Sequence, residues 1–576
     1  MADAPAPRPD HAATLTALDE SGPDSEQPAG AAAPSDESPD GLPLKPYPER
    51  ATLVLRAHDA ANIFLNARRS SFVYLLLLGS GACGLIYEIV WTRMLTLVFG
   101  VSVYAITSVL CAFMLGLALG SWVLGRLADR VSRPLRLYGA LEITIGATAL
   151  AFPWLIDQIE PLFVWINRQI GEDFLLFSIA RFAIILPLML LPTFFMGGTL
   201  PVVYRFFARG GLAVARELSF LYAANTFGAV LGTFLAGFIL VEVLGMQGTI
   251  LMAAAINLLI GAGAILLDRR PSRPTPQSEP RQPSLHETGT HVAAWDLSAG
   301  RRQLVLGAIG LSGFCSMGMQ VLWNRMLVFH VHNSTYAFSA ILMVFLIGLS
   351  GGSWLLGWIA PRLRRPLTLF AVLEGLIGLW CILTLLLNGK LTWFSRLLAG
   401  ELPWDNWYEA LALIFIQSAA LLLIPTTLMG MTLPLATRLI MVGAESAGRK
   451  VGNAYAANTV GAVAGAFAIG FILLSTIGVR ESAILLGGIL AAVSAVLLLA
   501  GHPPRSGWRV CAGAGCVLLV IVAAVGIPRD ALMRVFAERL GKVLFYKEEV
   551  TDTLMVVDMY DSTGTPRPEQ RWLVFN

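Results

Sequence analysis

The chain of 576 residues is 56% hydrophobic and 14% charged, with a mean hydropathy of +0.68. Soluble domains carry about 25% charged residues; here the charge sits in short clusters between long apolar runs, which excludes one soluble core and points to repeated membrane spans. A formal net charge of +3, with no basic tract interleaved with aromatics, excludes nucleic acid as a partner.

Residues 1–49 hold ten Asp and Glu against Arg8 and Lys45, too little apolar surface to fold alone, and are expected to form a disordered acidic tail. An interfacial helix is expected at 50–71. A hydrocarbon core of about 30 Å demands about 20 apolar residues per span. Runs of that size fall at 72–98, 102–125, 135–156, 176–200, 217–241 and 247–267, making a first unit, 72–268. A Pro-rich linker at 269–302 leads to a second unit, 303–500, with runs at 303–329, 334–358, 367–387, 408–433, 450–474 and 481–500. A thirteenth run covers 508–527.

The two units are copies. A shift of 232 residues carries Ser80, Gly81, Cys83, Trp91 and Arg93 onto Ser312, Gly313, Cys315, Trp323 and Arg325. A shift of 233 superposes PTFFMGGTLP at 192–201 on PTTLMGMTLP at 425–434, and YAANTFGAVLG at 222–232 on YAANTVGAVAG at 455–465. Six spans per copy is an even number, so both copies enter from one side and are related by an axis along the membrane normal. Loops after spans 2, 4, 6, 8 and 10 are arginine-rich, which places them and the N-terminus in the cytoplasm of a bacterial inner-membrane-type protein. The fold class expected is an all-α polytopic membrane protein, a 6+6 duplicated bundle with a thirteenth span and a short C-terminal β-hairpin.

Pairs such as Gly116-x-x-x-Gly120 and Gly228-x-x-x-Gly232 read as close-packing seams between helices. The loop after span 2, Gly125-Arg-Leu-Ala-Asp129-Arg130-Val-Ser-Arg133, resembles the signature of the major facilitator superfamily. That likeness implies a close helix approach at Gly125 and an Asp–Arg charge latch at a cytoplasmic gate. The second copy has Pro361 where the first has Asp129.

Ionisable residues inside spans are costly and so are candidate site residues. Glu88 lies about 24 Å along span 1, with Gln320 as its repeat mate, while Arg93 recurs as Arg325, Glu142 as Glu374 and Asn225 as Asn458. A cavity lined by Glu88, Glu142 and Glu374 suits a cationic amine; the same acids equally serve to fix packing by pairing with Arg93 or Arg181. His330-x-His332 has i, i+2 spacing, which does not converge on a helix. No metal ligand set, catalytic triad or Walker loop is present, and no metal is expected.

Residues 529–543 read as an amphipathic helix, and the segment to Asn576 as two strands around a turn, so 528–576 is expected to begin a further domain. The opening Ser80-Gly81…Glu88-x-x-Trp91-x-Arg93, the duplicated PTxxMGxTLP and YAANTxGA blocks and the tail Tyr546-Lys-Glu-Glu-Val-Thr…Arg571-Trp-Leu-Val-Phe-Asn576 together resemble the spermidine synthase-like membrane proteins, over about 70–576. The resemblance implies a membrane body followed by an aminopropyltransferase domain whose Gly-rich loop holds decarboxylated S-adenosylmethionine. No Gly-rich strand–loop–helix occurs before Asn576, so no catalytic or cofactor-binding residue carries over and no cofactor is expected in this chain. The expectation is a membrane module tied to polyamine metabolism, the chain being a fragment, a split product or a membrane subunit that needs a separate catalytic partner. The alternatives are a major-facilitator-type secondary transporter of a small organic cation and a non-catalytic membrane scaffold.

Overall fold

The structure is a computed structural model that describes residues 49–99, 103–170, 174–209, 214–269, 297–331, 335–391, 393, 394, 397, 407–441, 446–501, 507–528, 542–548, 553–560 and 566–575. All but Glu49 of the tail expected at 1–49, most of the linker at 269–302, residues 529–541 of the helix expected at 529–543 and the side chains of His330 and His332 lie outside these residues. Glu49 is helical, and 542–543 belong to a strand. Met1–Leu65 clusters as one compact unit and Asn66–Asn576 as another; in the first, the described residues are all helical.

The first copy folds as α1 (Glu49–Phe99), α2 (Val103–Arg130), α3 (Pro134–Ile170), α4 (Phe174–Arg209), α5 (Val214–Leu235) and α6 (Val241–Arg269). The second folds as α7 (Ala299–Val331), α8 (Thr335–Ile359), α9 (Pro366–Asn388), α10 (Trp407–Ile440), α11 (Ala447–Phe467) and α12 (Gly478–Ala500). Among the described residues, eleven helical stretches are long and apolar enough to cross a membrane. One of them, Arg216–Asp268, has 53 residues, about 80 Å if straight, far more than a bilayer needs. Gly245, with φ 68° and ψ 176°, breaks it within the first turns of α6.

Its repeat mate, Gly478, also has positive φ, at 80°. A π-helical turn precedes each, at Ala236–Leu240 and Ala468–Leu473. The duplication therefore extends from residue identity to backbone irregularities. Prolines stand inside α3, α4 and α10, as membrane helices tolerate when neighbours satisfy the freed backbone groups.

Backbone contact at small residues holds each half together. A Cβ on Gly120 would stand 1.8 Å from the Phe194 carbonyl oxygen, and one on Gly352 1.9 Å from that of Thr427. Gly228 approaches the Leu78 carbonyl of α1, and Gly461 approaches the Gly310 carbonyl of α7, equally closely. In lipid, helices gain nothing from burying apolar area against one another, so such contact is what van der Waals packing can use. The halves meet along α2–α11 and α5–α8.

A thirteenth helix, α13 (Gly507–Gly526), runs against α12 and α9 and is about 30 Å long. Arg480, at the start of α12, donates to the carbonyl oxygens of Ala524 and Ile527 at its end, both at 2.7 Å. Leu518, Ile521, Val522 and Val525 stay exposed on its outer flank, as suits a lipid-facing surface.

The C-terminal segment corrects the expected hairpin. It forms three antiparallel strands in the order β1 (Lys542–Glu548), β2 (Thr553–Tyr560) and β3 (Pro566–Phe575). Lys542–Glu548, at the start of the segment read as two strands, form β1, pairing Tyr546 with Met555 and Lys547 with Leu554. An isolated hairpin is marginally stable, and a third strand supplies the missing partner for β2.

Candidate functional site

At the arginine-rich end, a carboxylate of the first half is hydrogen-bonded to the second. Gly125 of α2 meets α11 so closely that a Cβ there would stand 2.7 Å from the Gly448 carbonyl oxygen. One turn on, Asp129 accepts the backbone N–H of Gly448 at 3.0 Å and of Arg449 at 2.8 Å. These are first-turn donors of α11, which have no partner inside the helix and carry the positive end of its dipole. The basic partner of Asp129 is Arg205 of α4, with Nε at 3.3 Å; Arg130 and Arg133 of the motif are exposed. In the second copy Pro361 replaces the aspartate, and Arg438, the mate of Arg205, donates instead to the Ala360 carbonyl at 2.6 Å. The latch is therefore one-sided.

Just inside it, Tyr222 and Tyr455, repeat mates, line a space of only about 10 Å³ with Leu200, Leu433 and Thr437. That is at the lower limit for a single water. This end is sealed.

At the opposite end, Tyr336 of α8 donates to Glu242 of α6, and Phe238 packs against both Tyr336 and Phe415. Arg93 is half-buried beside Tyr336 and Glu242 and donates to the Gly237 carbonyl at 3.5 Å. Its mate Arg325 is half-buried on α7.

The three acids expected to share a cavity do not meet. Glu142 is fully buried inside the first half, where it accepts from Asn257 of α6 at 2.5 Å and is flanked by Ser80 and Tyr138. Tyr87 donates to the other end of Asn257, at 2.8 Å. Glu374 is fully buried inside the second half beside Ser312 and Cys315. Each acid thus sits behind its own bundle's packing. Of the three, Glu88 is the half-buried one, and it lies within electrostatic reach of Tyr455, a residue of the other half. Gln320 is buried. Asn225 donates to the Leu77 carbonyl at 3.3 Å, and its backbone carbonyl faces Gly81; Asn458 faces Gly313 in the same way.

Asn257, Tyr87, Tyr138 and Arg205 carry much of this geometry but were not singled out in the sequence. The signal that could have found Asn257 was an amide in an otherwise apolar span at 247–267.

These features define a class: a polytopic membrane protein of two duplicated six-helix halves, joined across a polar, glycine-lined contact at one end. The model of the Major Facilitator Superfamily matches residues 76–466, and the chain belongs to that family. Over 228 residues it is 24% identical to Polyamine aminopropyltransferase 1 of Streptomyces coelicolor. The match covers 39% of this chain, which spans 39% of the length of that relative. Among solved structures, the human organic anion transporter MFSD10 is 11% identical with a TM-score of 0.45, covering 75% of this chain and 99% of that one. The fucose:proton symporter FucP of E. coli is 15% identical with a TM-score of 0.42, covering 75% and 99%. The proton:xylose symporter XylE is 14% identical with a TM-score of 0.45, covering 76% and 97%.

Proposed function

We propose that the chain is a secondary transporter of a small organic cation, its two halves rocking about the contact between α2 and α11. The observation that carries this reading is the Asp129–Gly448 latch. It closes one end of a duplicated bundle through hydrogen bonds and backbone contact beside a small apolar contact, where Ala447 and Val451 join the buried cluster of the first half. A carrier with two accessible sides requires such a closure. Glu88 supplies the negative charge on the face between the halves. The arginine-rich loops support a cytoplasmic position for the latch and the N-terminus, in a bacterial inner membrane.

Uptake of radiolabelled putrescine into proteoliposomes tests this reading. Uptake should exceed that of empty liposomes and fall at least tenfold in Glu88→Gln. Equal uptake by the variant and the natural protein removes Glu88 as the site, and no uptake above empty liposomes removes the transporter reading.

A second reading, a membrane module serving aminopropyl transfer with a separate catalytic subunit, is favoured by the likeness to Polyamine aminopropyltransferase 1. It is distinguished by co-purification: affinity-tagged protein should bring down an aminopropyltransferase activity that the detergent-solubilised membrane module lacks by itself.

A further inference from the structure

The two seams between the halves are repeat images of one another, yet only one is latched by a carboxylate; the α5–α8 seam is crossed by Ser350, which donates to the Ala223 carbonyl at 2.9 Å. On the α2–α11 seam, Asp129 caps α11 and Gly125 lies on Gly448. On the α5–α8 seam, Pro361 stands in the place of Asp129, and the Gly357 position meets the Phe220 ring instead of backbone. Wedged by that ring, the seam opens sideways into a groove of about 880 Å³ between α1, α5 and α8.

The groove has the polarity of one membrane leaflet. Arg216 is exposed at its mouth, its guanidinium 5.5 Å from the Phe220 ring and 6.0 Å from Trp358. Arg362, Arg364 and Arg365 follow α8 at the same end and are also exposed. The carboxylate at the mouth, Glu217, accepts from the Tyr74 hydroxyl. Deeper in, the walls turn apolar, with Phe227 and Ile347 exposed to the space. From Arg216 to Phe227 the helix rises about 16 Å, close to half of the roughly 30 Å hydrocarbon thickness. Trp354 and Trp358 stand near the mouth, where interfacial tryptophans belong.

One residue keeps the groove open. A Cβ on Gly351 would meet nothing within 4 Å, whereas the first copy carries Leu119 at the matching position.

We propose that this groove is a binding site for an anionic phospholipid, with the acyl chain lying along α5 and α8 and the phosphate against Arg216. Charge complementarity selects the occupant. Arg216 is the basic residue of the lining and is exposed at the mouth, and the acid beside it, Glu217, is already hydrogen-bonded. Three more exposed arginines follow α8 at the same end, and the depth matches a single acyl leaflet. The cavity also lies within the range of about 300–1,000 Å³ typical of ligand sites. The site is independent of what the protein carries.

Native mass spectrometry of the full chain in detergent, titrated with dioleoyl-phosphatidylglycerol or dioleoyl-phosphatidylcholine, tests the proposal. The natural protein should show a saturable first binding step at least fivefold tighter for phosphatidylglycerol. Arg216→Gln should make the two lipids equal, and Arg216→Lys should restore most of the preference. Gly351→Leu installs the residue of the first copy in open space, so folding is retained, and it should abolish the saturable step for both lipids. Equal affinity for the two lipids in the natural protein overturns the proposal, as does an unchanged saturable step in a monodisperse Gly351→Leu protein. Saturation by inorganic phosphate alone, without competition from lipid, would assign Arg216 to a soluble anion and overturn it as well.

Discussion

Asn257 donates its side-chain amide to the Glu142 carboxylate at 2.5 Å, deep in the first half. The matching positions of the second half are Leu490 and Glu374, so there the amide has been lost and the acid kept. Copies that agree in backbone thus differ in how they house a buried acid. The first surrounds it with Asn257, Ser80 and Tyr138; the second retains Ser312, with Phe370 in place of Tyr138.

Replacing Asn257 by Leu should therefore destabilise the first half by about 1–3 kcal/mol, the cost of leaving a buried acceptor without its donor. Tyr87 loses its partner in the same variant, since its hydroxyl donates to Asn257 at 2.8 Å. Glu142→Gln should cost less than Asn257→Leu, because a glutamine oxygen still accepts from Asn257. Thermal unfolding of the purified protein in detergent measures both. Equal melting temperatures for Asn257→Leu and the natural protein would contradict the structural role given to this cluster.

The latch gives a prediction about access. Asp129→Ala removes an anion from the N-terminus of α11 together with two backbone hydrogen bonds. Charge-assisted bonds at a helix start are worth about 1–2 kcal/mol, which is roughly a 5–30-fold shift in an opening equilibrium. A cysteine placed at Thr437, in the small space sealed by Tyr222 and Tyr455, should then react with an impermeant maleimide several-fold faster than in the Asp129 background. Asp129→Asn, which keeps an acceptor but not the charge, should fall between them. An unchanged rate in Asp129→Ala would mean that the seal does not depend on this carboxylate.

The glycine seams separate two kinds of helical glycine. Gly120→Ala forces a Cβ to within 1.8 Å of the Phe194 carbonyl, so α2 and α4 must part. Overpacking of that sort costs about 1–3 kcal/mol or more. Gly84→Ala meets nothing within 4 Å and should be neutral or raise stability by up to about 1 kcal/mol, because alanine has the better helix propensity. Melting temperatures of the two variants should move in opposite directions; a matched fall in both would remove the distinction.

Much of the fold could be read directly because membrane spans announce themselves by length and because the repeat held its register. The shift of 232 pairs Gly120 with Gly352 and the shift of 233 pairs Gly228 with Gly461, and at each the close backbone approach keeps the glycine. The Asp129 motif was visible, but its partners were not: Arg205 and Gly448 lie on helices far away in sequence, and nothing local marks a helix N-terminus as the receiver of that carboxylate. Grouping Glu88, Glu142 and Glu374 failed for a similar reason. Position along a span gives depth, while the direction a residue faces depends on which neighbours its helix acquires. The third strand was missed because β1, at Lys542–Glu548, begins inside the run read as an amphipathic helix at 529–543 and ends in charged residues.

The approach of Gly125 to Gly448 also bears on how the seam could part. Most helix pairs mesh like gears, and separating them means disengaging side chains that fill one another's hollows. Here the contacting surface is bare main chain, smooth on both sides. Nothing interlocks at that point, so opening there means breaking the bonds of the carboxylate beside it and uncovering Ala447 and Val451 from the first half's apolar cluster, and a single substitution at either place could reset the balance between closed and open.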